Sequence, residues 1–195
     1  MNVNWPFPII QYDSPVSGWQ WDYDNGIAAV IFARLSPMKT KIAELEKAVG
    51  GMLTAEIAGA SGATGIAWAC AWLEACGYPG VKLLIEALRE ERRDLELVRD
   101  GLGLDLKGMS CVWLAQHLMA EVESGGRVFL RNVRHGLYLL PFSVSANIGI
   151  GCPVDQAFAL GSERTSNPYS EKLALAEANG VEVDDKLWRL LQGRS

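Results

Sequence analysis

Cys152 stands apart from the other residues of this sequence that could do chemistry. It follows Gly-Ile-Gly and precedes a proline in the segment 149–153, which we predict to join a strand to a helix beginning near Pro153. A thiol at a helix N-terminus has a lowered pKa, because the end of the helix favours the thiolate. Gly149 and Gly151 let a ligand approach the backbone, and the N–H groups of a helix end bind carboxylate or phosphate. The segment predicts a nucleophile or an anion site, with a plain N-cap as the alternative.

The triplet Arg134-His135-Gly136 is a second candidate. Arg-His-Gly after a strand marks the histidine phosphatases, in which the histidine accepts a phosphoryl group at a strand-to-helix junction. Here the triplet lies late in the chain, and Leu137 begins what we interpret as another strand. A hairpin turn is therefore the favoured interpretation. His135 would act as the base for Cys152 if the fold brings the two side chains together.

Three arginines give the same region a local positive character. Arg127 and Arg131 share one face of a predicted strand with Phe129, and Arg134 follows in the turn. These cations predict a place for an acidic small molecule or for an acidic patch of a partner. A solvated strand face is the more ordinary interpretation of such charges.

Metal and dinucleotide sites find no support in the residue spacing. The four cysteines and two histidines form neither a C-x-x-C nor an H-x-x-x-H pattern. Cys111 and His117 fall on different faces of one predicted helix. The 149–153 segment also lacks the third glycine of a dinucleotide fingerprint. We therefore predict no metal and no cofactor, and we interpret Cys70, Cys76 and Cys111 as small core residues.

Two β-hairpins are predicted to position these residues. The first spans 19–32, where Asp24-Asn25-Gly26 supplies the tight turn between an alternating aromatic strand and an apolar run. The second joins a strand at 127–132 to a strand at 137–144 through a turn at 133–136. Its far strand is apolar on both faces, which favours a central position, although Pro141 conflicts with a fully bonded strand.

Helices are predicted for most of the remaining chain. The first begins with an N-cap at Ser36-Pro37 and weakens or ends at Gly50-Gly51. The others are a small-residue helix that Gly77 stops, the segment 80–98, the segment 109–123, a helix from Asn167-Pro168 to Gly180, and a last helix capped by Asp184. The fold class is thus α+β: a single domain over 1–195, with a helical layer packed on a small, mostly antiparallel sheet built from the two hairpins.

Composition narrows the class of protein. With 195 residues, 49% of them hydrophobic, the chain is long and apolar enough to fill the core of one domain. A net charge of −5 without a long basic run predicts no nucleic-acid partner. The uncharged stretch 57–73 is shorter than the roughly 20 strongly apolar residues of a membrane span, so we expect no membrane insertion. No basic segment precedes an apolar one at the start, so we predict a cytoplasmic protein with reduced thiols.

The first 33 residues differ from the rest of the chain. They contain three of the seven tryptophans, Trp5, Trp19 and Trp21, together with three aspartates and no cation. An aromatic face of this kind must be covered by its own domain or by a partner. We predict that the segment 1–33 forms the contact of a homo-oligomer.

A further pattern resembles a family of uncharacterised proteobacterial proteins known only as a domain of unknown function. The resemblance covers roughly 36–191 and rests on short stretches of small and apolar residues: the Ala-Gly-Ala-Ser-Gly-Ala run 58–63, the helix end 71–77, Leu-Leu-Pro-Phe at 139–142, Gly180-Val181 and Leu187-Trp188. The aromatic segment 1–33 departs from the family. The resemblance implies a bacterial cytoplasmic protein and no particular reaction.

Two functions are compatible with these observations. The first is a non-enzymatic accessory or assembly protein, or one that binds a small ligand, and it is favoured because no triad or ligand cluster stands out. The second is an enzyme acting on a carboxylate or phosphate substrate at the 149–153 loop. In that alternative Cys152 and His135 are catalytic, and Arg131, Arg134, Gly149 and Gly151 bind the substrate.

Overall fold

The structure is a computed structural model that describes residues 37–56, 62–90, 97–101, 103–125, 128–150, 157–163 and 167–193. The chain divides after Arg34 into two units, and all described residues belong to the second, Leu35–Ser195. The aromatic segment 1–33 and its hairpin lie outside the described residues. The single domain over 1–195 therefore stays a prediction.

Helix α1 (Ile42–Glu56) begins later and runs further than its sequence indicates. Residues 38–40 form a short strand, β1 (Met38–Thr40), so the predicted N-cap at Ser36-Pro37 is wrong. The helix start is instead fixed by Glu44, whose Oε2 accepts hydrogen bonds from the Lys41 N–H (3.4 Å) and the Thr40 hydroxyl (3.0 Å). The glycine pair at 50–51 does not end the helix, because its apolar side keeps packing on the core through the fully buried Leu53.

Helix α2 (Ala63–Ala75) is the central helix. It contacts helices on several sides, and most of its residues are buried: Ile66, Ala67, Ala69, Cys70, Ala71, Trp72 and Leu73. Gly77, with φ 81°, follows its end, and Pro79 precedes α3 (Gly80–Arg89) as predicted. Among the described residues, no helix is both long enough and apolar enough to cross a membrane.

The main sheet has five strands: β2 (Val98–Asp100), β3 (Gly103–Asp105), β4 (Val128–Arg131), β5 (Ile148–Ile150) and β6 (Ala157–Glu163). Their order is β2-β3-β4-β6-β5. Strands β3 and β4 are parallel, with Leu104 opposite Leu130, and helix α4 (Cys111–Gly125) makes the crossover between them. The other pairings of the described strands are antiparallel. The α+β fold class is confirmed.

The prediction of the second hairpin is wrong for its second strand. Strand β4 forms as expected, but a turn of 3-10 helix (Gly136–Tyr138) and helix α5 (Leu139–Ser145) replace the strand expected at 137–144. A short apolar run is compatible with either a buried strand or a buried helix, and here the helix forms. Pro141 then lies in the first turn of α5, where its missing N–H costs nothing.

The helix expected from Pro153 is also wrong over 157–163, which form strand β6. Strand β6 pairs antiparallel with β5, with Gly149 opposite Ser162. The element that follows segment 149–153 in the described chain is therefore a strand. Residues 151–156, with Cys152 among them, lie outside the described residues, so the lowered pKa of the Cys152 thiol stays a prediction.

The last described strand of the chain pairs with the first. Helix α6 (Ser170–Asn179) is followed by strand β7 (Val181–Val183) and helix α7 (Asp185–Leu191). Strand β7 pairs antiparallel with β1, with Met38 opposite Val183. The predicted cap is confirmed, since Asp184 Oδ1 accepts hydrogen bonds from the N–H groups of Lys186 (2.9 Å) and Leu187 (3.1 Å).

The three described cysteines are structural. Cys70, Cys76 and Cys111 are free and buried in the core, as predicted. Burial raises the pKa of all three thiols, that of Cys76 to about 12, because the thiolate loses its hydration. They are therefore protonated and unreactive at neutral pH.

Candidate functional site

Two strand-to-helix loops meet at one edge of the main sheet. Residues 106–110 follow β3 and lead into α4, and residues 132–135 follow β4 and lead into the 3-10 turn and α5. Because β3 and β4 are adjacent and parallel, both loops leave the carboxyl ends of their strands. In open α/β sheets, ligands bind at this position.

Backbone hydrogen bonds join the two loops along their length. The N–H donors all come from the first loop and helix α4, and the carbonyl acceptors come from the end of β4 and the second loop: Leu106 to Arg131 (3.0 Å), Gly108 to Asn132 (3.0 Å) and Cys111 to Arg134 (2.9 Å). The loops therefore form one rigid unit.

Asp105 adds a side-chain link between the loops. Its Oδ1 accepts hydrogen bonds from Asn132 Nδ2 and from the Lys107 N–H, each 2.8 Å long. The hydrogen bond from Asn132, and then that from Lys107, favour the charged form and lower the pKa of Asp105. Asp105 is thus ionised at neutral pH and holds both residues in place.

Three residues of these two loops have strained backbones. Lys107 (φ 48°), Asn132 (φ 51°) and His135 (φ 51°) adopt left-handed conformations, and Gly108, directly after Lys107, also has a positive φ (77°). A non-glycine residue in this region costs on the order of 1–3 kcal/mol and persists only where its surroundings enforce it. Such strain clusters at binding and catalytic sites.

An open depression of about 490 Å³ lies on these loops, lined by Lys107, Gly108, Asn132, Val133 and Arg134. Its polar side chains are two cations and an amide, all on exposed residues. The depression offers hydrogen-bond donors and positive charge to a ligand.

His135 lies behind the depression with its side chain only 9% exposed. Its Nδ1 is 2.8 Å from Ser110 Oγ, and its Nε2 is 3.7 Å from Glu86 Oε2 and 3.8 Å from Glu90 Oε1. Glu90 Oε1 also forms an ion pair with Arg134 Nη2 at 2.5 Å. The histidine is therefore placed between a hydroxyl on one side and two carboxylates on the other.

The serine, histidine and glutamates do not form a nucleophilic triad. Ser110 is 1% exposed, and its Oγ already accepts the Val112 N–H (3.1 Å) at the start of α4. A substrate carbonyl has no access to such a hydroxyl, and its first role is to cap the helix.

The N-terminus of α4 offers no anion site. Of its first three N–H groups, that of Cys111 bonds to the Arg134 carbonyl, that of Val112 to Ser110 Oγ, and that of Trp113 to the Ser110 carbonyl. With these donors occupied, any anion in the depression must be bound by side chains.

The Arg-His-Gly triplet does lead from a strand to a helix, so its interpretation as a hairpin turn is wrong. A phosphohistidine site nevertheless lacks support here. The outer nitrogen of His135 faces Glu86 and Glu90, and two carboxylates repel an approaching phosphate.

The residues predicted from the sequence fall in different places. Arg134 lines the depression and His135 lies behind it. Arg131 lies on β4, where its Nη2 pairs with Asp100 Oδ2 at 2.5 Å.

Gly149 is on strand β5, separated from β4 by β6. Gly151 and Cys152 lie outside the described residues, so their roles stay predictions.

Sequence reasoning missed Lys107, Asn132, Glu86 and Glu90. Asn132 carried a usable signal, because asparagine directly after a strand is among the residues that adopt left-handed backbone. Glu90 lies in a run of charged residues of both signs, and only the fold brings it to His135. Nothing in the sequence marks Lys107 as a residue of positive φ.

Comparison with models of protein families and with curated proteins found no match to this chain. The resemblance to an uncharacterised proteobacterial family therefore stays a prediction. Within the part of the chain that the structure describes, no group of three or more His, Cys, Asp or Glu side chains is arranged to hold a metal ion.

Proposed function

We propose that this protein is a non-enzymatic binding protein for a small ligand that carries an oxyanion, either a carboxylate or a phosphate. The ligand occupies the depression, where Lys107 and Arg134 supply positive charge and Asn132 supplies an amide. One observation carries the proposal: strained, hydrogen-bonded residues from two loops converge at the carboxyl ends of adjacent parallel strands. Rigid loops of this kind lower the entropic cost of binding.

The residues that line the depression include two cations and no carboxylate, although the whole chain carries −5. Lys107 is exposed and has no ion pair to another described residue. Arg134 is paired with Glu90, but 53% of its side chain is exposed and open to a second acceptor. A guanidinium has five N–H donors, so it binds an oxyanion in the depression more readily than a lysine in the same place does.

The surroundings of the depression favour binding over catalysis. Ser110 is buried at the end of the first loop, and His135 directs its two nitrogens at Ser110 and at the glutamates. A catalytic base must reach the substrate within a hydrogen-bond distance or through one water. Neither side chain is aimed into the depression in this way.

The test is sulfate and succinate binding, followed by calorimetry, to the full chain and to Lys107→Asn. Asparagine removes the charge but tolerates the left-handed backbone, so the loop is kept. We expect the substitution to weaken binding about fivefold to tenfold, the effect of losing one partly exposed charge contact. Lys186→Ala, on helix α7, removes an exposed lysine outside the depression and serves as the control. Equal affinities of the two variants would contradict the site.

We further propose that the aromatic segment 1–33 makes the contact of a homodimer. The proposal is supported by Trp5, Trp19 and Trp21 in a segment with aspartates and without any lysine or arginine. This composition is typical of protein interfaces, where aromatic residues are enriched and lysine is depleted.

A further inference from the structure

Arg134 belongs to two groups of residues at once. It lines the depression, and its Nη2 also pairs with Glu90 Oε1 at 2.5 Å. The same Glu90 oxygen lies 3.8 Å from His135 Nε2. A ligand that competes for Arg134 therefore changes the charge beside a histidine that it does not touch.

Without Arg134, negative charge would predominate among the charged groups around His135. Glu86 of helix α3 and Glu90, which directly follows that helix, face Nε2. The neutral hydroxyl of Ser110, which directly precedes α4, faces Nδ1. Lys82 lies 3.9 Å from Glu86, but its side chain is 64% exposed, so the pair is weak. Arg134 is the cation that compensates Glu90 directly.

We infer that binding of an oxyanion in the depression is coupled to proton uptake by His135. The inference rests on the proposed function and concerns the regulation of that site. An oxyanion shares or takes the Arg134 guanidinium, and Glu90 loses part of its compensation. A proton from solvent then binds to the imidazole ring and restores the balance, with no covalent step.

The surroundings suit the protonated ring. An imidazolium has two N–H donors, and both have acceptors here: Ser110 Oγ at Nδ1 and the two carboxylates at Nε2. The ring is 9% exposed, and of its two carboxylate partners Glu90 (24% exposed) is less screened by water than Glu86 (44% exposed). By reciprocity, lowering the pH tightens oxyanion binding, by up to about tenfold per pH unit when one whole proton is taken up.

The experiment is titration of the full chain with sulfate, a probe that does not itself change charge near neutral pH. Calorimetry in two buffers of different ionisation enthalpy, at about pH 6.5, gives the number of protons taken up with each sulfate. We expect a value between zero and one, and an affinity that increases from about pH 8 to about pH 6.

Two histidine variants assign the proton. The chain has two histidines, and His117 is exposed on helix α4. His135→Asn keeps a residue that tolerates positive φ and is expected to abolish proton uptake, whereas His117→Asn is expected to retain it. Unchanged uptake in His135→Asn, or binding without uptake in the unsubstituted chain, would overturn the coupling.

A third variant tests the link through Glu90 without touching the strained loop. Glu90→Gln removes the competitor for Arg134, so sulfate is expected to bind about two- to fivefold more tightly and with less proton uptake. Weaker binding in this variant would overturn the coupling. No binding of sulfate to the unsubstituted chain would overturn the proposed oxyanion site, and the coupling with it.

Discussion

Glu74 is a largely buried carboxyl group near the end of α2. Its Oε1 accepts the Val81 N–H at 2.8 Å, in the first turn of α3. Burial raises the pKa of Glu74 from 4.5 to about 7, and the hydrogen bond from Val81 offsets only part of that effect. The folded protein therefore holds a proton on Glu74 that the unfolded chain releases at a lower pH.

This difference in pKa predicts how stability depends on pH. Because the folded pKa lies above the unfolded one, Glu74 contributes stability that is fully present below about pH 4.5 and is lost as pH rises through about 7. The loss amounts to something on the order of 3 kcal/mol. We expect Glu74→Gln, which keeps an acceptor for Val81, to remove this part of the slope in urea unfolding between about pH 4.5 and about pH 7.5.

The control for this prediction is Glu177→Gln, on the exposed side of α6, which also removes one carboxylate. If both variants keep the slope of the unsubstituted chain, the buried carboxyl is not its cause.

At the scale of single residues, the sequence identified part of the site. Arg134 and His135 were candidates because of their chemical types alone. Asn132 reaches the site through its hydrogen bond to Asp105, which lies 27 positions earlier in the chain. Lys107 bonds to Asp105 only two positions away, and the pairing of β3 with β4 brings it next to Asn132. Contacts of that kind depend on strand pairing, which a local pattern does not reveal.

At the scale of elements, helix α3 packs on α2 through a glycine. A Cβ at Gly80 would lie 2.5 Å from the Cys70 carbonyl oxygen and 2.9 Å from Leu73 Cβ. We expect Gly80→Ala to destabilise the protein by about 1–3 kcal/mol, the cost of overpacking in a core. For a chain of this length each kcal/mol lowers the Tm by roughly 2–4 °C, which thermal unfolding measures.

Gly51→Ala is the matched substitution in helix α1. A Cβ there meets nothing within 4 Å, so alanine is expected to stabilise the helix by about 0.5–1 kcal/mol. A loss of stability at Gly51 similar to that at Gly80 would show that helix packing does not distinguish the two glycines.

Helix α7 depends on its cap. Asp184 Oδ1 accepts two N–H groups of the first turn, so Asp184→Ala is expected to cost about 1 kcal/mol in urea unfolding. Asp184→Asn keeps an acceptor oxygen and serves as the control, with a loss of a few tenths of a kcal/mol at most. Equal losses would assign the effect to charge at the helix end instead of to the hydrogen bonds.

Elements with local signals were the ones that the sequence predicted. Helices α2, α6 and α7 have a cap or a stopping glycine within a few residues of their ends. Strand β1 and helix α5 have no such signals. Strand β1 forms because it pairs with β7 from the other end of the described chain. The short apolar run that forms α5 is compatible with either a buried helix or a buried strand.

At the scale of the whole molecule, strands β1 and β7 join the two ends of the described chain. The close approach requires Gly180, which has φ 81° and whose added Cβ would lie 2.7 Å from the Thr40 carbonyl oxygen. The described part of the unit Leu35–Ser195 therefore has a hydrophobic core and a closure between β1 and β7.

The proposed role of that segment is a dimer contact, which a mass measurement tests. We expect the full chain to have the mass of a dimer in light scattering, and Trp19→Ser with Trp21→Ser to lower it to that of a monomer, because two aromatic anchors are lost from the contact. Leu175→Ser, at a leucine that is 56% exposed on α6, removes another apolar surface residue and is the control. A monomeric full chain, or a mass that falls only in Leu175→Ser, would contradict the assignment of the contact to the aromatic segment.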